Sequence, residues 1–333
     1  MDLKKEEYID KIKSLAREKN AVIFAHYYTR PEIQEIADFI GDSLALAQQA
    51  TRVQADILVM CGVHFMGETM KILCPDKKVL IPDMQAGCSL ADSCKAEDLE
   101  QFIIKNSYPQ RGTIISQFTI KNSQVEKPIV VSYVNTSAEV KALTDIVVTS
   151  SNAKKIVDQL PKDAKIIFGP DYNLGSYINS VTGRNMLLWN GACHVHSRFS
   201  LEALLQLKKE NPGVEVLAHP ECKAPILAQS DVIGSTKALL DHVIASPAKR
   251  FIIATESGIL FEMQRACPDK EFIPVPPEMT EGVGCSCNEC EYMRMNTLEK
   301  VYACLRDEAP EMNVPEEVAA KALGSIQRML SMS

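Results

Sequence analysis

A chain of 333 residues is long enough for two or three domains of roughly 100–150 residues each. With 46% hydrophobic residues, 24% charged residues and a formal net charge of −7, it lacks the basic footprint a duplex nucleic-acid binder needs. No run approaches the ~20 apolar residues of a membrane helix, and the start, Met1-Asp2-Leu3-Lys4-Lys5-Glu6-Glu7, lacks the apolar core of a signal peptide. No nucleic-acid or membrane partner is therefore expected, and the expected location is cytoplasmic.

In chain order, apolar Leu3, Tyr8, Ile9, Ile12 and Leu15 among charged residues predict an amphipathic helix near residues 2–19. Val22-Ile23-Phe24-Ala25-His26 reads as a buried strand, residues 43–51 as a helix, and residues 57–60 and 79–81 as second and third strands. A shorter copy follows, with strands at residues 129–133, 145–150 and 165–169. From residue 215 the first pattern returns at a fixed offset of 193 residues, pairing His26 with His219, Asp38 with Asp231, Cys74 with Cys267 and Pro75 with Pro268. Self-similarity of this kind marks repeated structural units.

The expected fold is α/β: three homologous three-layer αβα units with parallel sheets arranged about a pseudo-threefold axis. Turn signals at residues 106–112 and at Thr182-Gly183 place the units at 1–108, with the N-terminal helix, at 109–190 and at 191–280. Residues 277–296 read as irregular backbone, and Val314-Pro315-Glu316-Glu317 opens a terminal helix. Residues 281–333 are thus expected to carry a cysteine-rich loop and helices that pack back on the core.

Parallel sheets bind ligands beyond the carboxyl ends of their strands. The repeat puts His26, Tyr133 and His219 at equivalent strand ends, followed two residues on by Tyr28, Asn135 and Glu221. Any one of these could be a satisfied core residue; their threefold recurrence favours a shared site. Ser43, Ser137, Ser150 and Thr236 stand at helix starts, where a hydroxyl serves as an N-cap or helps hold an anion.

Eleven cysteines in a chain expected in a reducing compartment point to buried thiols or metal ligands. Cys61, Cys74, Cys222, Cys267 and Cys304 read as packed thiols, whereas Cys88, Cys193 and Cys290 each follow the third strand of their own unit. Three such thiolates could hold a cluster on the axis, and Cys285, Cys287 and Cys290 alone could bind zinc with a distant fourth ligand. A four-iron cluster with three cysteine ligands leaves one iron open to act as a Lewis acid.

With Ala25-His26-Tyr27-Tyr28, Gly41-Asp42-Ser43, Ala86-Gly87-Cys88, Ser132-Tyr133-Val134-Asn135-Thr136, Cys193-His194-Val195-His196, His219-Pro220-Glu221-Cys222 and Gly234-Ser235-Thr236, the chain resembles the quinolinate synthase family nearly end to end. The resemblance implies condensation of iminoaspartate with dihydroxyacetone phosphate to quinolinate, phosphate and water in NAD biosynthesis. It implies a 4Fe-4S cluster on Cys88, Cys193 and Cys290, with His26, Ser43, Ser150, His219 and Thr236 on carboxylates or phosphate. Tyr28 and Glu221 would move protons, and Tyr133 and Asn135 would position the intermediate, with His26 and Tyr133 also counted in the catalytic set. An L-aspartate oxidase or aspartate dehydrogenase would supply iminoaspartate. The Cys-x-Cys-x-x-Cys run departs from a Cys-x-x-Cys-x-x-Cys pattern in the family, so no redox role is assigned to Cys285 and Cys287, nor to Cys94. His194 and His196 fit either a structural role or a bond to cluster or substrate. The readings in other classes are a cluster-bearing electron carrier or iron sensor and a zinc-stabilised sugar-phosphate binder.

Overall fold

The computed structural model describes residues 4–107, 127–278 and 288–333. The expected turn at 106–112 lies largely outside these residues, and Cys285 and Cys287 lie wholly outside them. The first sheet is built from β1 (Ala21–His26), β2 (Phe39–Gly41), β3 (Ile57–Cys61) and β4 (Lys78–Leu80). The second has β5 (Ile129–Tyr133), β6 (Ile146–Val148), β7 (Ile166–Gly169) and β8 (Leu187–Leu188), and the third β9 (Glu215–Ala218), β10 (Val232–Ile233), β11 (Arg250–Ala254) and β12 (Glu271–Pro274). Each sheet is parallel and has the same order, second-first-third-fourth.

The sequence predicts three strands per unit, and the structure has four. Strands β2, β8 and β10 are only two or three residues long, too short to leave a periodic signal. Consequently Cys88, Cys193 and Cys290 follow the fourth strand of each sheet rather than the third. The helix predicted at 2–19 runs over Lys5–Glu18, and the terminal helix runs over Glu316–Met332 behind Pro315.

Alternate residues of a strand face different layers, and the core shows this directly. Phe24, Leu58 and Met60 join one cluster, while Ile23, Ala25, Ile57, Val59 and Cys61 join another beneath the helices Lys5–Glu18 and Leu298–Asp307. In the third sheet Leu217, Phe251 and Ile253 belong to the first of these clusters, and Val216, Ala218, Ile252 and Ala254 to a separate outer one. Val131, Tyr133 and Phe168 bring the second sheet into the same inner cluster. The inner faces of all three sheets therefore share one core, which points their carboxyl ends at a common region.

An aspartate before the second strand of each sheet repeats in all three units. Asp38 accepts the amide of Ile23 at 2.8 Å, Asp145 that of Val130 at 2.9 Å and Asp231 that of Val216 at 2.8 Å, each over a span of 15 residues. Each pins the start of the central strand. Asp145→Ala should lower stability by about 1–3 kcal/mol, the penalty of an orphaned amide, read as a lower urea midpoint with an unchanged slope. The terminal helix locks onto the second unit through Ser325, whose hydroxyl donates to the carbonyl of Lys141 at 2.9 Å. Among the described residues no helix is long and apolar enough to cross a membrane.

Candidate active site

Beyond the carboxyl ends of β1, β5 and β9 lies one pocket, with an empty volume of about 710 Å³ including its open mouth. Its walls include all six strand-end residues His26, Tyr28, Tyr133, Asn135, His219 and Glu221, the hydroxyls of Ser43, Ser150 and Thr236, and Cys88, Cys193 and Cys290. Three sheets contribute to it, so no single unit could form it alone.

The two histidines 193 residues apart are held identically. Nδ1 of His26 accepts the amide of Tyr28 at 3.1 Å, and Nδ1 of His219 accepts the amide of Glu221 at 3.4 Å. An accepting Nδ1 fixes the proton on Nε2. Burial drives His26 down to about 4 against the pull of Asp42 and Glu221, and drives His219 down to about 3 against that of Glu221. Both rings are therefore neutral donors near pH 7, and His219 Nε2 lies 3.1 Å from the Ser150 hydroxyl.

The hydroxyls are not all caps. Asp42 caps the helix Ser43–Ala50 by accepting from Ala45, and Ser235 caps Thr236–Ala245 by accepting from Ala238. Ser43 and Thr236 thus stand at first helical positions, and Ser150 caps no helix, the next N-cap position falling on Asn152. Ser137 alone of the four accepts from its own helix, at Val140.

Glu221, 2% exposed, lines the same pocket. Its Oε2 lies 2.7 Å from Nδ1 of His196 and 3.5 Å from Nδ1 of His219, and its Oε1 is buried without a hydrogen-bond partner. Burial raises its carboxyl, but His196 beside it, foremost among its neighbours, and a hydrogen bond from Tyr133 draw it below the usual carboxylate range. On the other side of the ring, His196 Nε2 lies 3.0 Å from the Thr255 hydroxyl. Thr255 in turn lies 2.9 Å from the Tyr28 hydroxyl, whose other partner is Thr236 at 2.7 Å. A continuous hydrogen-bonded chain therefore joins Tyr28 to Glu221.

The three cysteines share a local geometry that their unequal spacing conceals. Each opens a helical turn: the carbonyls of Cys88, Cys193 and Cys290 accept from Asp92 at 2.9 Å, Ser197 at 3.0 Å and Arg294 at 3.1 Å. Amides three residues on, at Ala91, His196 and Met293, favour the three thiolates. Burial outweighs them without a metal, raising Cys88 to about 11, Cys290 to about 12 and Cys193 further. The remaining described cysteines, Cys61, Cys74, Cys94, Cys222, Cys267 and Cys304, are buried in the protein. Cys74 and Cys267, a repeat pair, make matching bonds to the carbonyls of Ala50 and Val243.

The quinolinate synthetase A protein family matches residues 10–331. The chain belongs to the quinolinate synthetase A protein family. It is 53% identical to a quinolinate synthase of Microcystis aeruginosa over 97% of this chain and 94% of that one. It is 48% identical to one of Chloroherpeton thalassium over 100% of this chain and 97% of that one. A Synechococcus quinolinate synthase is 51% identical over 97% of this chain and 94% of its own length.

Within this quinolinate synthetase A framework, Cys193, His196 and Glu221 form a candidate metal-binding group, their ligand atoms lying within 4.8 Å of one another. The 2.7 Å contact between His196 Nδ1 and Glu221 and the 3.0 Å contact at its Nε2 already engage both ring nitrogens. Sequence reasoning left His196 undecided and passed over Thr255 and Glu256, which follow β11. The rule applied to β1, β5 and β9, that chemistry gathers beyond strand ends, would have flagged both had it been extended to β11.

Proposed function

We propose that this chain condenses iminoaspartate with dihydroxyacetone phosphate, yielding quinolinate, phosphate and two waters. The observation that carries this reading is the gathering of twelve family-motif residues from three sheets on one pocket. Three cysteines with matching turns and thiolate-favouring amides suit a 4Fe-4S cluster. Cys88, Cys193 and Cys290 would hold it, and it would supply an iron with an open position that polarises substrate as a Lewis acid.

The protein's own groups divide the remaining work. His26 and His219 offer Nε2 hydrogens to substrate carboxylates, while Ser43 and Thr236 offer hydroxyls beside helix N-termini suited to a carboxylate or phosphate. Glu221 has a free buried oxygen from which to take a proton, and Tyr28 has a hydroxyl from which to give one. Tyr133, facing Glu221 and Ser150, and Asn135 position the intermediate between them. Because iminoaspartate hydrolyses readily, an aspartate-oxidising enzyme such as an L-aspartate oxidase or aspartate dehydrogenase would supply it, in the cytoplasm.

The test is quinolinate formation by anaerobically purified, iron- and sulfide-reconstituted protein given both substrates. Product at cluster-dependent rates is expected; its absence from protein carrying intact cluster would move the assignment to an electron carrier or to another dehydratase. Thr255→Val, nearly isosteric, should lower kcat about tenfold by leaving His196 Nε2 unpaired, with iron content unchanged. Thr255→Ser should restore it, and steady-state kinetics of the two variants reads the difference.

A further inference from the structure

Two buried carboxylates at equivalent positions hold the backbone of two of the three cysteines. β3, β7 and β11 end at Cys61, Gly169 and Ala254, and two residues beyond each stand Val63, Asp171 and Glu256. Oδ2 of Asp171 accepts the amide of Cys193 at 3.1 Å, and its Oδ1 accepts that of Leu174 at 2.7 Å. Oε1 of Glu256 accepts the amide of Cys290 at 3.0 Å, and its Oε2 accepts that of Gly258 at 2.7 Å. Both side chains are fully buried, and neither lies in the proton-transfer chain.

The first unit has no counterpart, since the side chain of Val63 cannot accept a hydrogen bond. Its loop is tied by backbone instead, the amide of His64 donating to the carbonyl of Ala86 at 2.7 Å. Gly258 shows how closely the Glu256 turn is fitted: a Cβ there would lie 2.7 Å from the Cα of Tyr28 and 2.8 Å from Glu256 Oε2. Arg294, in the turn opened by Cys290, also approaches Glu256 Oε1 at 3.5 Å. A carboxylate with one oxygen on the segment that follows the strand, the N-terminus of the helix Tyr172–Thr182 for Asp171 and the Gly258 turn for Glu256, and the other on a cysteine amide transmits the sheet's position to the thiol.

We propose that Asp171 and Glu256 are positioning residues, each setting one ligand cysteine, Cys193 and Cys290 respectively, while Cys88 has no such carboxylate on its amide. Their role as cluster positioners rests on the cysteine-ligand reading above; the anchoring of each thiol does not. The test is the site-resolved rate of alkylation by iodoacetamide in the metal-free full chain, followed by peptide mass spectrometry.

Asp171→Ala should speed modification of Cys193 about tenfold and leave Cys88 and Cys290 within twofold, and Glu256→Ala should speed Cys290 alone. If either alanine variant does not fold, Asp171→Asn and Glu256→Gln are read in its place, since an amide can satisfy only one of the two backbone donors. Unchanged rates in folded variants, or equal rises at all three cysteines, would overturn the proposal. Iron and sulfide content of reconstituted wild type reports separately on the cluster: its absence would sink that reading while the alkylation pattern still judged the anchors.

Discussion

Glu221→Gln is expected to keep its iron and sulfide and lose about 10²–10⁴-fold in kcat, the range for removing a general acid–base group. The substitution preserves size in a site where Glu221 is 2% exposed, so packing changes little. What changes is polarity. Glutamine can keep one carbonyl oxygen toward His196, now 2.7 Å from the carboxylate, but then puts an amino group where Oε1 offers an unpartnered acceptor. A donor replaces the base at the same point in space. Tyr28→Phe should show a smaller loss, because Thr236 and Thr255 persist behind it and only the donated proton is removed. Steady-state quinolinate formation beside an iron assay reads both. A Glu221→Gln protein with full cluster and full turnover would remove Glu221 from the chemistry.

Cys193→Ala is expected to reduce turnover to background and to leave the protein with little stable cluster, while Cys94→Ala leaves both near wild type. The two thiols are both buried, yet their surroundings differ. Cys94 sits in an apolar group with Leu99 and Val140, where a small hydrophobe serves nearly as well. Cys193 opens a helical turn, faces Cys88 and Cys290 through the same field, and has His196 Nδ1 3.3 Å from its sulfur. Its loss would remove one of the three proposed cluster anchors and the partner of a ring that also touches Glu221. Iron content, visible absorbance and kcat after identical anaerobic reconstitution make the comparison. Retention of four irons by Cys193→Ala would contradict the ligand assignment.

The central strands were legible because each is an apolar run that meets a polar residue: His26 and Tyr133 end β1 and β5, and His219 directly follows β9. The 193-residue offset proves physical down to side-chain bonds, as Asp38 and Asp231 cap equivalent amides and His26 and His219 accept from residues two positions on. Strands β2, β8 and β10 were not legible, since pairing with a neighbour, rather than their own two or three residues, makes them strands. Ser43 and Thr236 looked like caps only because the better-placed Asp42 and Ser235 stand one residue earlier. The contacts among Tyr28, Thr255, His196 and Glu221 span up to 227 residues of sequence, and no local pattern encodes them.

Cluster and substrate are expected to meet in one pocket at the junction of the three sheets. Mössbauer spectroscopy of iron-57-loaded, anaerobic protein with and without quinolinate tests this most directly. One iron of four should change its isomer shift when quinolinate is added, and the other three should not. Four irons with a single unchanging signature, in protein shown to bind quinolinate, would contradict the account.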